Sequence, residues 1–188
     1  MKKIFTLLIL LFSFTIQSAM ADDIADTLKV FREAGESGQF FKRSYGYAVF
    51  PTIGKAGFVI GGAYGKGKVY EQGKYIGDTS MTQGSIGFQL GAQEFSQIIF
   101  FENKAALDAF TSNNFEFSAS AEAVAITAGA SASANTTGNT ASISGDKNNA
   151  DTASSGFRKG MVVFTVAKAG LMYEASLAGQ KFTFTPKK

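Results

Sequence analysis

The chain has 188 residues, with 18 Lys+Arg against 15 Asp+Glu, no Cys and no His. That length suits one domain with a real core. The two absences exclude disulfides, thiolate chemistry, thiolate zinc sites and lipid attachment to an N-terminal cysteine, together with the commonest general base and metal ligand.

Met1-Lys2-Lys3 opens the chain, Ile4 to Ile16 is apolar apart from Thr6, Ser13 and Thr15, and Ser18-Ala19-Met20-Ala21 places small residues at the two positions a signal peptidase reads. This predicts a secretory signal over residues 1–21, too short for a membrane span. Its removal takes Lys2 and Lys3 with it, leaving 16 basic against 15 acidic residues. No clustered basic excess of the kind that binds nucleic acid remains, so an exported, periplasmic or secreted protein without a nucleic-acid partner is expected.

Asp22 to about Gly38 reads as one amphipathic helix. Ile24, Leu28 and Phe31 fall on one stripe, opposite Lys29, Arg32, Glu33 and Glu36. The stripe suits packing over a core; a membrane-docking helix is the alternative, and its polar face is usually richer in Lys and Arg. From Tyr45 the texture is β: Tyr45–Phe50 stopped by Pro51, then Phe58–Ile60, Lys68–Tyr70, Ser85–Gly91 and Phe95–Phe101, with Gly-rich joints. Asn103 is placed to cap a short helix ending at Ser112-Asn113-Asn114. Phe115 to Ala125 alternates again, and Ala128 to Ser155 is so poor in large apolar groups that a long hairpin or loop is expected. Strands are predicted over Gly160–Val166, Leu171–Ser176 and Lys181–Thr185, before a solvated Pro186-Lys187-Lys188 tail. Lys55-Ala56-Gly57-Phe58 is echoed 113 positions later by Lys168-Ala169-Gly170-Leu171, which suggests two related strand–turn–strand units.

Gly61 to Lys68 lacks the spacing of a phosphate-binding loop, since Ile60 stands where the first Gly belongs and Gly67 follows Lys66. It reads as a tight turn that presents Lys66 and Lys68 beside Tyr64 and Tyr70, with Lys74 close behind. Lysines offer point charges to phosphates, and tyrosines suit the boundary between apolar and wet surroundings. These five residues are the candidates for contacts with a lipid headgroup; an ordinary solvated hairpin tip is the plain alternative. Lys29, Arg32, Lys42 and Arg43 form a secondary basic set. No carboxylate pair, triad or EF-hand spacing is visible, so no enzyme, metal or cofactor is expected.

Ala48-Val49-Phe50-Pro51, Lys55-Ala56-Gly57-Phe58, Gly61-Gly62, Tyr64-Gly65 and the run Gly84 to Gln93 (Gly-Ser-Ile-Gly-Phe-Gln-Leu-Gly-Ala-Gln) resemble the SYLF domain family, also catalogued under an actin-binding name. Ala105–Phe110, Lys159–Leu171 and Ser176–Gly179 extend the likeness over most of Tyr45–Gly179. The chain departs from the family pattern at Ala63, where a basic residue is common, and over Gly77–Thr82 and Thr127–Ser155. The resemblance implies a compact domain that binds phospholipids, phosphoinositides among them, and bacterial relatives that are exported. It also implies membrane contact by an N-terminal amphipathic segment, here Asp22–Arg43. Actin would be met only on delivery into a host cell.

The reading is an α+β protein with a signal over 1–21, a helical segment over 22–44 and a β-rich domain over 45–188. The sheet is expected to be mainly antiparallel and strongly curved, barrel-like or a sandwich, with an N-terminal amphipathic helix and a short central one. A non-catalytic phospholipid-binding envelope or secreted protein follows. The alternatives are a small outer-membrane β-barrel, which the 19 Phe, 21 Gly and alternating strands would suit, and an envelope scaffold.

Overall fold

The computed structural model describes residues 21–57, 60–86, 91–117, 124–126, 156–169 and 177–188. The predicted signal, the 128–155 loop and the Leu171–Ser176 strand lie outside them. The helices are α1 (21–33), α2 (Gly35–Gly38), α3 (Phe40–Arg43) and α4 (Lys104–Phe110). The strands are β1 (Gly46–Gly57), β2 (Ile60–Glu71), β3 (Lys74–Ile86), β4 (Gly91–Phe101), β5 (Val124–Ile126), β6 (Met161–Ala169) and β7 (Lys181–Pro186). They form one sheet in the order β5-β6-β4-β1-β2-β3-β7, antiparallel throughout except that β5 runs parallel to β6. This is the α+β, mainly antiparallel class expected.

The sheet is strongly curled. Gln97 of β4 and Gln180, just ahead of β7, are hydrogen-bonded side chain to side chain at 3.0 Å, both buried. Three strands lie between β4 and β7. Laid flat, that would put them roughly 19 Å apart, at about 4.8 Å per strand. One connecting stretch also touches both edges. Phe117 N donates to Gln180 O and Phe182 N to Phe115 O, each at 3.0 Å, while β5 lies along β6. Phe117 and Val124 are only seven residues apart, at most about 25 Å of chain.

The concave interior is filled by Phe50, Ile53, Val69, Met81, Ile99, Phe101 and Phe182, closed off by Leu107 and Phe110 of α4 and by Phe117. Asn103 caps α4 as expected, its Oδ1 accepting from Ala106 N at 3.0 Å. The opposite face of β1, β4 and β6 carries Tyr47, Val49, Ile98, Phe100, Phe164 and Val166, and these are covered by Ile24, Phe31 and Phe40 of the helices and by Phe157. The N-terminal stripe therefore packs on the sheet. Strands β1 to β4, at 11 to 13 residues, are long enough to cross a bilayer. The residue distribution nonetheless differs from that of an outer-membrane barrel: the inside is apolar instead of polar, and the aromatic outer face of β1, β4 and β6 is covered by helices instead of facing lipid.

Several local expectations are corrected. The helix expected to run to Gly38 ends at residue 33, where Ala34 turns extended (φ −71°, ψ 121°). Ser37 Oγ then donates to Phe31 O at 2.6 Å and holds the following turn against the helix end. Pro51 does not stop β1. The register shifts between Phe50 and Ile53 against β4, and between Val49 and Thr52 against β2, and a bulge tolerates a residue without an N–H. Lys55-Ala56-Gly57 forms the last residues of β1 and Lys168-Ala169 those of β6, so the described parts of the echoed segments are strand ends and not turns. Gly61–Lys68 is strand interior, in β2. The turn comes later, at Gln72-Gly73, whose positive φ values (48° and 78°) suit a two-residue hairpin. Ser85 and Ile86 end β3 whereas Gly91 opens β4, so the described ends of the predicted Ser85–Gly91 strand belong to different strands. The terminal tail is partly structural: Pro186 ends β7 and Lys187 N donates to Ile76 O at 2.8 Å.

Candidate functional site

The helices cover the outer face over β1, β4 and β6, and among the described residues none of them covers the outer face of β2, β3 and β7. Alternation along β2 sends Ala63, Gly65, Gly67 and Val69 inward and Tyr64, Lys66, Lys68 and Tyr70 outward. Four of the predicted site residues therefore stand in one row on a strand instead of on a turn. Tyr64 is 51% exposed, Lys66 is exposed, and Lys68 and Tyr70 are half-buried. Opposite them on β3 are Thr82, Ser80 and Asp78, and beyond these on β7 are Lys181, Thr183 and Thr185. Ser80 and Thr183 share a hydrogen bond at 2.7 Å, and Lys181 pairs with Glu116 at 3.5 Å.

The lower end of the row is an aromatic ladder. Phe41 meets Tyr47 edge-on at 5.4 Å, Tyr47 stacks on Tyr70 at 4.9 Å, and Tyr70 meets Tyr75 at 6.0 Å. Cations sit along it. Arg32 lies 4.9 Å from the Phe41 ring centre, Lys68 Nζ 4.9 Å from Tyr75 and Lys187 Nζ 5.5 Å from the same ring. Such contacts are worth roughly 0.5–1 kcal/mol each where exposed, and they hold long side chains in place. Arg32, from the secondary set, is thus joined to the β2 row through Tyr47 and Tyr70. Arg43 stacks on Phe40 at 5.2 Å, and Lys29 and Lys42 are exposed on the helices. Lys74 faces Glu71 at the hairpin end, past the row.

Burial raises the phenols of Tyr47 and Tyr70 above their usual range. Burial first, and then the 2.8 Å hydrogen bond from Tyr75 Oη to Asp78, pushes Tyr75 up to about 12. The neutral phenol is favoured in the folded state. Its contribution to stability is therefore complete below pH 10 and lost as the pH rises through about 12. In an alkaline absorbance titration, one tyrosine is expected to ionise near pH 12, and that step should disappear in Tyr75→Phe.

The upper end of the row is barer. Thr52 faces Lys66 across β1 and β2, and Lys168 Nζ donates to Thr52 Oγ1 at 2.9 Å, which brings a lysine from β6 to the same place. Above it, Gly54, Ala56 and Gly62 floor an open groove of about 350 Å³ walled by Tyr64, with Lys55 and Glu94 on its rim. Among the described residues no cluster of acidic side chains could hold a metal ion.

The sequence reading missed Tyr47, Thr52, Tyr75, Lys168 and Lys187. The Gln72-Gly73 turn would have placed Tyr75 opposite Tyr70. Nothing local signals Thr52, Lys168 or Lys187, which arrive through the pairing of distant strands.

Residues 82–187, more than half the chain, match the family described as Ysc84, Las17-binding protein actin regulator. The chain belongs to this family, the SYLF family. Its members form a binding-domain family linked to lipid or actin binding. The chain is also similar to Beta cell expansion factor A of Aeromonas veronii, 25% identical over 163 residues that cover 85% of this chain and 54% of that protein. It thus spans about half the length of that relative. In this SYLF chain the family match includes Lys168, Lys181 and Lys187, whereas Tyr64, Lys66 and Lys68 precede it.

Proposed function

We propose that this SYLF protein is exported by its N-terminal signal and acts without catalysis, binding anionic phospholipid surfaces through the outer face of β2, β3 and β7. The observation that carries this reading is the Tyr64-Lys66-Lys68-Tyr70 row on the half of the sheet that the helices leave open. Lys168 and Lys187 reinforce it from β6 and the chain end. Amphipathic tyrosines beside ammonium groups suit a bilayer interface, where apolar and charged surroundings meet. Of the carboxylates on the face, Glu116 sits against Lys181, while Asp78 accepts from Tyr75 and keeps its charge opposite Lys68. Membership of a family linked to lipid or actin binding supports the reading. The lipid reading is preferred to the actin one because an exported protein meets actin only inside a host.

Cosedimentation with phosphatidylglycerol vesicles tests it. Near an anionic surface each lysine is worth about 1 kcal/mol, so Lys66→Glu with Lys68→Glu is expected to weaken binding by at least about thirtyfold. Wild-type binding should fall steeply with salt and be small on phosphatidylcholine. Equal sedimentation of the double variant would reject the site.

A further inference from the structure

The groove above Lys66 calls for a separate explanation. Gly54, Gly62 and Gly84 lie exposed on neighbouring strands β1, β2 and β3, and Gly62 faces both Ala56 and Gly84. None has positive φ. A Cβ built at Gly54 or Gly84 meets nothing within 4 Å, and one at Gly62 meets only Gln83 O at 3.4 Å. Internal packing therefore requires none of the three, unlike Gly65 and Gly67, three and five residues beyond Gly62 on β2, where a Cβ would lie 2.6 Å from Ile53 Cγ1 or 2.5 Å from Val49 O. Glycine within a strand costs stability and often marks a place where a ligand approaches the backbone closely.

Two further features define what fits. The open volume of about 350 Å³ is at the lower end of small-molecule sites. At roughly 30 Å³ per heavy atom, the share of a water in the liquid, it holds about a dozen atoms. Its lower mouth is basic, with Lys66 and Lys168 on either side of Thr52. Within the groove Lys55 and Glu94 balance each other, so the excess positive charge comes from Lys66 and Lys168 just outside it, beside Thr52. The floor itself offers Gly and Ala, with the Tyr64 ring as a wall.

We infer that this groove takes the single acyl chain of an anionic lysophospholipid, with its phosphate held between Lys66 and Lys168. The inference rests on the anionic-lipid reading of the same face and adds a monomer site to it. Charge at one end and bare apolar floor along the rest match an amphiphile with one tail; a second tail exceeds the volume.

The test is calorimetric titration with decanoyl lysophosphatidylglycerol below its micelle concentration, and with glycerophosphoglycerol as the tail-less control. The wild type should bind one lysolipid per chain and bind the control at least tenfold more weakly. Gly62→Leu and Ala56→Leu, which fill the floor without touching the core, should each weaken lysolipid binding at least tenfold while still sedimenting with phosphatidylglycerol vesicles. Lys168→Glu should weaken lysolipid binding comparably. Lysolipid binding that is absent, or indifferent to both leucines, while vesicle binding persists overturns the groove and leaves the surface reading intact. Loss of both in the wild type overturns both.

Discussion

Phe182→Ala is expected to lower the unfolding free energy by about 3–5 kcal/mol, the range for truncating a buried aromatic, and to be the most damaging single truncation in the protein. Phe182 is 2% exposed, and its ring lies 5.0 Å from Phe110, 5.5 Å from Phe117, 5.7 Å from Phe50 and 6.0 Å from Phe115. These partners come from α4, from the connecting stretch beside β7, and from β1. One side chain therefore ties together the parts that the curl of the sheet brings into register. The surrounding strands are fixed by ladders on both sides, so the cavity cannot collapse cheaply and its cost adds to the lost transfer energy. Urea unfolding of Phe182→Ala beside Phe184→Ala checks this. Phe184 is only half-buried and should lose clearly less. A Phe182→Ala loss below about 1.5 kcal/mol, or one equal to that of Phe184→Ala, would mean that the curled interior is not the main source of stability.

The second large effect concerns a glycine. Gly67→Ala is expected to destabilise by about 1–3 kcal/mol, as overpacking does. Its Cβ would lie 2.5 Å from Val49 O and 2.8 Å from Phe50 Cδ1, both on β1. That strand is pinned between β2 and β4 and cannot retreat. Gly84→Ala should have the opposite sign. It lies in open space, and an alanine there gains roughly 0.5–1 kcal/mol through the unfolded chain's lost freedom. Thermal unfolding of the two variants side by side decides the matter, because two glycines on adjacent strands of one sheet should shift the midpoint in opposite directions. Shifts of the same sign would refute the division of the glycines into packing and surface groups.

That division explains why the sequence was readable in some places and misleading in others. The Ile24-Leu28-Phe31 stripe, the Asn103 cap and the apolar runs of β4 and β6 carry their own signal, because helix periodicity, capping and strand alternation are local properties. Pro51 and the glycines of β2 are local signals too, but each has two meanings. Proline ends a strand unless a bulge absorbs it, and glycine marks a turn or a close approach. Read alone, Gly61 to Lys68 suits a hairpin tip; paired with β1 and β3 it is a strand whose Gly65 and Gly67 lie too close to β1 for a side chain.

The candidate site divides in the same way. The sequence singled out Tyr64, Lys66, Lys68 and Tyr70, since basic and amphipathic side chains at a spacing of two share a face if the segment is extended. Whether it was extended could not be known from the segment, and neither could the arrival of Lys168, Lys187 and Tyr47 beside it. By itself the sequence determined the residue chemistry: no thiol or imidazole, abundant phenylalanine for a core, and lysines interleaved with tyrosines. Only the tertiary structure decided which face stays open, because that depends on where the N-terminal helices lie and on how far the sheet curls. Both are set by side-chain packing between strands distant in sequence, and no local pattern encodes them.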